Sequence, residues 1–173
     1  LTLLLTTCAS QAGIIEYNGY SRDTATTSVT GGGLEWQMWS NTRSQTLNQA
    51  LTNNSGWRLA SIDEMVALFD AFAFGGKTDW DENSNQNTDW APGHDTGYED
   101  MLNLFGLTYN NTATHTHGDP SQSTNAIFGN DDSGNYYQAS VTTDASFRVN
   151  QTHWNWSAGA QMREYNNFDP AST

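Results

Sequence analysis

Apolar residues recur every three or four positions in three segments of the chain, which predicts three short helices. The segments are 44–52, 61 to Gly75, and 96 to Gly106. The second segment opens with Ser61 and Glu64 and the third with Thr96 and Glu99, the spacing of a capping box. In a capping box the two side chains satisfy free amides of the first turn, so these residues fix both helix starts. A glycine ends each of these two helices.

Alternating apolar and polar residues predict β-strands elsewhere. The predicted strands are 14–17, 34–39, 107–109, 126–128, 136–142, 146–149, 154–156 and 161–165. Residues 18–33 are predicted to form a polar loop, and its three terminal glycines a turn, because a phosphate cradle would need a helix next. Helices early and strands late predict an α+β domain, with two to three short helices on a mostly antiparallel, loop-rich sheet.

The start of the chain has the pattern of an exported protein. Leu1 to Leu5 is apolar, and Ser10-Gln11-Ala12 is a small-x-small triplet. This pattern predicts the remnant of a signal peptide over 1–12, cleaved after Ala12. The alternative is a buried first strand. Cys8 is the single cysteine, so the expected mature chain has neither disulfides nor thiol chemistry.

The net charge of the chain makes two classes of binding partner unexpected. Lys and Arg number 6 against 19 Asp and Glu, a net charge of −13. Binding to nucleic acid or to an anionic membrane surface needs clustered cations, so neither is expected. No apolar run reaches the roughly 18 residues of a membrane span. Aromatic residues make up 12% of the chain, which indicates a folded domain rather than a disordered one.

An acidic segment, 79–89, carries an oxygen-bearing side chain at every second position over its eleven residues. Ca²⁺ takes six to eight oxygen ligands, so the segment predicts a calcium site. The predicted ligands are Asp79, Asp81, Asn83, Asn85 and Asp89. Ser84 and Trp90 stand where an EF-hand loop has Gly and Glu, and a solvated loop is the alternative. Residues 130–135 form a second, weaker candidate.

The chain contains seven tryptophans, and four of them are candidates for sugar binding. Trp80 and Trp90 flank the acidic segment, and Trp154 and Trp156 lie in a polar run. Flat aromatic faces beside amide and carboxylate side chains are typical of surfaces on which sugars stack, so these four are the predicted ligand-binding residues. Burial in the core is the alternative, and it is what we expect for Trp57.

A histidine-containing segment offers a different chemistry. His115, His117 and Asp119 have ligand types and spacing suited to zinc or iron, which would give a metal-dependent hydrolase. The alternative is a solvated loop. Neither a G-x-S-x-G nor an H-E-x-x-H motif occurs, so an enzyme is not expected.

Two neighbouring stretches, the second of which contains Trp57, carry a resemblance to a known family. Residues 44–50 followed by Gly56-Trp-Arg-Leu-Ala-Ser-Ile62 resemble the first half of a C-type-lectin-like domain, and more closely the C-terminal domain of bacterial collagen-like adhesins. The resemblance implies that fold over 13–167, with Trp36 and Trp39 on the first strand and 161–165 as the closing strand. The family's disulfide cysteines and Glu-Pro-Asn sugar motif are missing. Formylglycine-generating enzymes share the fold, but their redox cysteines have no counterpart after Cys8.

The last residues resemble a sorting signal. Phe168-Asp169-Pro170, within 168–173, resembles the start of a PEP-CTERM segment. That resemblance implies a secreted or surface protein of a Gram-negative bacterium that exports exopolysaccharide. The sequence therefore predicts a non-enzymatic binding domain for glycan or extracellular matrix, stabilised by Ca²⁺. The alternatives are a structural matrix protein without a ligand site and the metal-dependent hydrolase.

Overall fold

The computed structural model describes residues 12–81, 86–88, 91–92, 96–111, 121–129, 135–147, 154–165 and 170–171. Its first sheet consists of β1 (Ile14–Tyr17), β2 (Tyr20–Asp23), β3 (Ser28–Gly31) and β4 (Leu34–Gln37). Its second sheet consists of β5 (Gln86–Asn87), β6 (Ala91–Pro92), β7 (Tyr109–Asn111), β8 (Ser121–Phe128), β9 (Tyr136–Phe147) and β10 (Trp154–Tyr165). The helices are α1 (Leu47–Asn53), α2 (Ile62–Phe72) and α3 (Thr96–Phe105). Residues 1–11 of the predicted leader and the histidine segment fall outside the described residues.

The first sheet is an antiparallel meander, in the order β1-β2-β3-β4. The prediction of a polar loop over 18–33 is therefore wrong, because β2 and β3 lie in it. Asn18 and Gly19 both have positive φ, as a two-residue hairpin turn requires, and Gly32 and Gly33 repeat this between β3 and β4. The sequence pattern did not predict β2 and β3 because most of their side chains are polar.

Side-chain caps fix the helix starts. Ser61 and Glu64 form the predicted capping box of α2, with both reciprocal hydrogen bonds present. Thr46 and Gln49 form another at α1, so α1 starts three residues later than predicted. The helix α2 ends at Phe72, and Ala73 caps it in the left-handed region with φ 48°, so the helix stops before the predicted Gly75.

The second sheet has the antiparallel order β5-β10-β9-β8-β7, and β6 also pairs with β10. Its two central strands are 12 residues each, whereas the sequence predicted two short strands in the place of each. The sequence contains polar residues in the middle of both strands, and their local preference for turns explains why each strand was predicted as two. In β9, the described alternation places Ala139 and Val141 in the core and Ser140 and Thr142 on the outer face.

The helix α3 contacts strands of both sheets and joins the two parts of the core. Tyr98, Met101, Leu104 and Phe105 have no exposed surface. Arg22 of β2 donates to the Asn103 carbonyl at 2.7 Å, which places a cation at the helix C-terminus where the dipole favours it. Three helices and two antiparallel sheets confirm the predicted α+β class. Within the described residues no helix is both long and apolar enough to cross a membrane.

Candidate functional site

The described part of the chain contains an open groove of about 690 Å³. One wall is formed by residues of β4, the turn after it, α1 and the connection from α1 to α2. The other wall is formed by β8, with Gln138 of β9 and Thr108. We call it the α1–β8 groove.

Two buried tryptophans line the inner end of the groove. Trp36 packs edge-on against Phe105, with ring centroids 6.3 Å apart, and Trp39 packs against the same ring at 5.0 Å. The Trp36 indole donates to the Gly31 carbonyl at 3.1 Å. Because Phe105 belongs to the central helix, the apolar end of the groove is held rigidly by the core.

Trp57 lines the groove and is only half-buried. The sequence predicted a buried core residue here, and the structure corrects this. Its amide N–H donates to the Asn54 carbonyl at 3.1 Å, in a turn that places Gly56 at φ 98°. The turn formers that precede it, Asn53 to Gly56, were the signal that this tryptophan leaves the core.

Amide side chains surround the groove, and hydrogen bonds hold them in place. Gln37 donates to Asn54 at 2.7 Å, and Asn54 in turn donates to the Ala50 carbonyl of α1 at 2.7 Å. On the opposite wall, the Asn125 amide donates to Thr108 at 2.8 Å. The Asn125 amide also donates to the Ser123 hydroxyl at 3.0 Å, so its remaining capacity is that of its carbonyl. The hydrogen bonds described for Gln37 and Asn54 use one of the two donor hydrogens of each amide. Gln138 accepts from Arg163 at 2.7 and 3.0 Å.

The edge of β8 opens into the groove. Ser123 accepts from the Thr108 amide, and Gly129 donates to the Ala60 carbonyl, so odd-numbered residues of β8 direct their backbone groups away from β9. Asn125 and Ile127 lie between them, beyond the three residues of β8 that pair with β7. Among the described residues, no backbone hydrogen bond joins Asn125 or Ile127 to another segment on the side away from β9. The groove therefore contains N–H and C=O groups available to a ligand.

The charges at the groove nearly balance. Arg58 and Glu64 form a bidentate ion pair at 2.7 and 2.5 Å. Hydrogen bonds from Arg58, and then from the Ser61 amide, lower the pKa of Glu64 to about 2 against the effect of burial. The other charged lining residues are Glu35 and Arg43, both exposed. Two acids and two bases leave the groove without net charge, although the whole chain is strongly acidic.

The predicted calcium ligands are only partly described. Asp79 is exposed and accepts from Lys77 at 2.6 Å, and that ammonium lowers the pKa of Asp79. The Asp81 carboxylate accepts from the Gln86 amide. Asn83, Asn85 and Asp89 lie outside the described residues, as does most of 130–135. Among the residues described, no three His, Cys, Asp or Glu side chains cluster as metal ligands would.

Trp80 lies in the core, which contradicts its predicted role as an exposed surface for sugar stacking. It is 4% exposed, and its ring meets Phe69 edge-on at 4.9 Å. The Lys77 ammonium lies 5.1 Å from the ring centroid, and Asp70 accepts from the Trp80 amide at 3.0 Å. Burial of Trp80 brings the start of the acidic segment against α2, and it leaves no free ring face.

Of the remaining predicted site residues, two have a described backbone only, and the others lie outside the described residues. Trp154 and Trp156 pair with Phe147 and Ala145 at the start of β10. Their side chains lie outside the described part of the chain. Trp90, His115, His117 and Asp119 also lie outside it. Of the four predicted ligand-binding residues, only Trp80 has a described side chain, and it does not line the α1–β8 groove.

Comparison with known proteins gave no match: no protein-family model, no curated protein and no solved structure resembles this chain significantly.

Proposed function

We propose that this chain is a secreted, non-enzymatic domain, C-type-lectin-like in architecture, that binds glycan at a cell surface or in its matrix. We place the sugar in the α1–β8 groove rather than on Trp80. The observation that supports this is the groove itself, in which a half-buried Trp57, fixed amide side chains and an unpaired strand edge converge without net charge.

The chemistry of a sugar ring matches these groups. One face of a pyranose ring presents C–H groups that pack on an indole, and its edge presents hydroxyls. Each hydroxyl both donates and accepts, so it can accept from the amide of Gln37 or Asn54 and donate to the carbonyl of Asn125. Because these amides are already held by hydrogen bonds, little side-chain entropy is lost when a sugar binds.

The test is binding to an array of neutral and acidic polysaccharides, followed by titration of Trp57 variants. We expect Trp57→Ala to weaken binding by about tenfold, because a stacked aromatic contact contributes about 1 kcal/mol beyond its area. Trp57→Phe keeps a flat ring and is expected to retain most of the affinity. Equal binding by wild type and Trp57→Ala would contradict the proposal. Failure to bind any polysaccharide would favour the structural matrix protein.

Calcium remains a proposal for the segment 79–89, separate from the groove. Binding to the folded state alone raises its stability by mass action, about 2.7 kcal/mol at 100 times Kd. Thermal melts with Ca²⁺ and with EDTA are therefore expected to differ, and Asp81→Asn is expected to reduce the difference. Identical melting curves would make the segment a solvated loop.

The open edge of β8 favours one other class of ligand. An extended peptide can add a strand where backbone groups are unpaired, with side chains in flanking pockets. Such a peptide would bind through Asn125 and Ile127 and tolerate many side chains, whereas a glycan depends on Trp57. The Trp57 titration therefore separates the two classes.

A further inference from the structure

The outer face of the second sheet carries an uncharged row of side chains that crosses four strands. In the strand register, Asn87 of β5 lies opposite Gln161 of β10, Gln161 opposite Ser140 of β9, and Ser140 opposite Asn125 of β8. All four can form hydrogen bonds, and none is fully buried. Residues that directly face each other across an antiparallel sheet project to the same side, so the four form one continuous polar row.

The row connects two depressions in the surface. At one end lies the α1–β8 groove, which Asn125 lines. The other three residues of the row, Asn87, Gln161 and Ser140, line a shallow cleft of about 330 Å³. Gly159 belongs to the next row of this face and has no side chain, so backbone forms part of the cleft floor.

The core holds the face behind this row rigid. Ala139, Val141, Ala160 and Met162 alternate with the outer residues and are buried. Thr88 accepts from the Ala160 amide at 2.9 Å, and Tyr98 of α3 donates to the same hydroxyl at 3.1 Å. These bonds fix the short β5 edge of the face against the central helix.

The dimensions of the row exceed those of one sugar. Neighbouring strands lie about 4.8 Å apart, so three spacings give a length of about 14 Å from Asn87 to Asn125. A monosaccharide in the groove would leave most of this row unused. A chain of sugars that continues from the groove would meet an amide or hydroxyl at each strand.

We infer that the ligand is a linear, uncharged polysaccharide bound along its length, with one sugar in the α1–β8 groove and its neighbours on this row. The inference rests on the proposed glycan-binding function. The lack of charge on the row identifies the class: the chain has a net charge of −13, and a polyanion would need cations that the row does not offer.

The experiment is affinity electrophoresis of the full chain in gels that contain galactomannan, a linear β-glucan or alginate. Titration with mannobiose and cellobiose measures the groove alone. Ser140→Lys obstructs the middle of the row, and Thr30→Lys places the same side chain on the first sheet as a matched control. Gln161→Ala removes an amide without adding bulk. Melting temperatures show that each variant is folded.

We expect wild type and Thr30→Lys to be retarded by a neutral polymer. Ser140→Lys is expected to weaken polymer binding by about tenfold and Gln161→Ala by a smaller factor, with disaccharide binding unchanged in both. If both row variants are retarded as strongly as wild type, the polysaccharide does not bind along the row, and only the proposed binding in the α1–β8 groove remains supported. Binding to alginate alone, or to a disaccharide but no polymer, would also overturn binding along the row. If neither polymer nor disaccharide binds wild type, the proposed function fails as well.

Discussion

Single residues fix this structure where two elements approach most closely. Gly31 ends β3 directly beneath the Tyr20 ring, and a Cβ atom there would overlap the ring carbons. Tyr20 is buried and packs against Phe72 of α2, so it has no room to move away. A glycine is therefore required at this position for space rather than for an unusual backbone angle.

Gly31→Ala is expected to destabilise the protein by about 1–3 kcal/mol, the cost of overfilling a packed core. Gly13→Ala is the matched control, because its Cβ would meet only Thr24, at an ordinary 3.7 Å. Urea denaturation of both variants measures the difference. Equal stability of the two would contradict the close approach.

The ion pair at the groove gives a pH-dependent prediction. The pKa of Glu64 is lowered from 4.5 to about 2, so its contribution to stability is present above about 4.5 and is lost as the pH falls toward 2. Glu64→Gln keeps an oxygen for the Ser61 amide but loses the charge that pairs with Arg58. We expect a small deficit in unfolding free energy at pH 7 that disappears near pH 2. Denaturation across this range measures it, and a deficit independent of pH would contradict the assignment.

At the scale of elements, the helices were predictable and several strands were not. Capping boxes and apolar stripes are local signals, so α2 could be placed within one residue of its start. The strands β2 and β3 carry mostly polar side chains, and only the Asn18-Gly19 and Gly32-Gly33 turns marked their ends. In the second sheet, long-range pairing extends β9 and β10 through residues whose local preference is for turns.

The site was harder to predict than the fold for a related reason. The sequence indicates which tryptophans lie near polar residues but not which ring is covered. Trp80 is covered by α2 through contacts with Phe69, whereas Trp57 follows a turn and stays half-exposed. The open edge of β8 depends on where β7 stops pairing with it, and the local sequence pattern does not predict that position.

The β8 edge predicts a specific hydrogen-exchange pattern. Thr124 and Ala126 direct their amides toward β9, and Asn125 and Ile127 toward the groove. In the free protein, the amides of Asn125 and Ile127 are expected to exchange about tenfold faster or more, because no strand among the described residues pairs with them on this side. Amide exchange by NMR measures this. Equal protection of all four amides would show that the edge is closed.

At the scale of the whole molecule, α3 couples the two sheets into one cooperative structure. Phe105 is fully buried and contacts Trp36, Trp39 and Phe72. Its ring supports the inner end of the groove as well as the core between the sheets. Stability and binding are therefore expected to depend on the same residue.

Phe105→Ala is expected to cost about 3–5 kcal/mol, the range for removal of a buried phenylalanine. Tryptophan fluorescence and far-UV circular dichroism are expected to report one coincident unfolding transition in wild type. Phe105→Leu, which retains more volume, is expected to lose less. Two separate transitions in wild type would show that the sheets unfold independently and that α3 does not couple them.

Binding of sugar in the α1–β8 groove is tested most directly by an NMR titration with the neutral oligosaccharide that binds best. We expect the signals of the Trp57 indole N–H and of the backbone amides of Asn125 and Ile127 to shift together, at one dissociation constant, while the signal of the buried Trp80 indole does not move. Shifts confined to Trp154 and Trp156, with Trp57 unchanged, would contradict it.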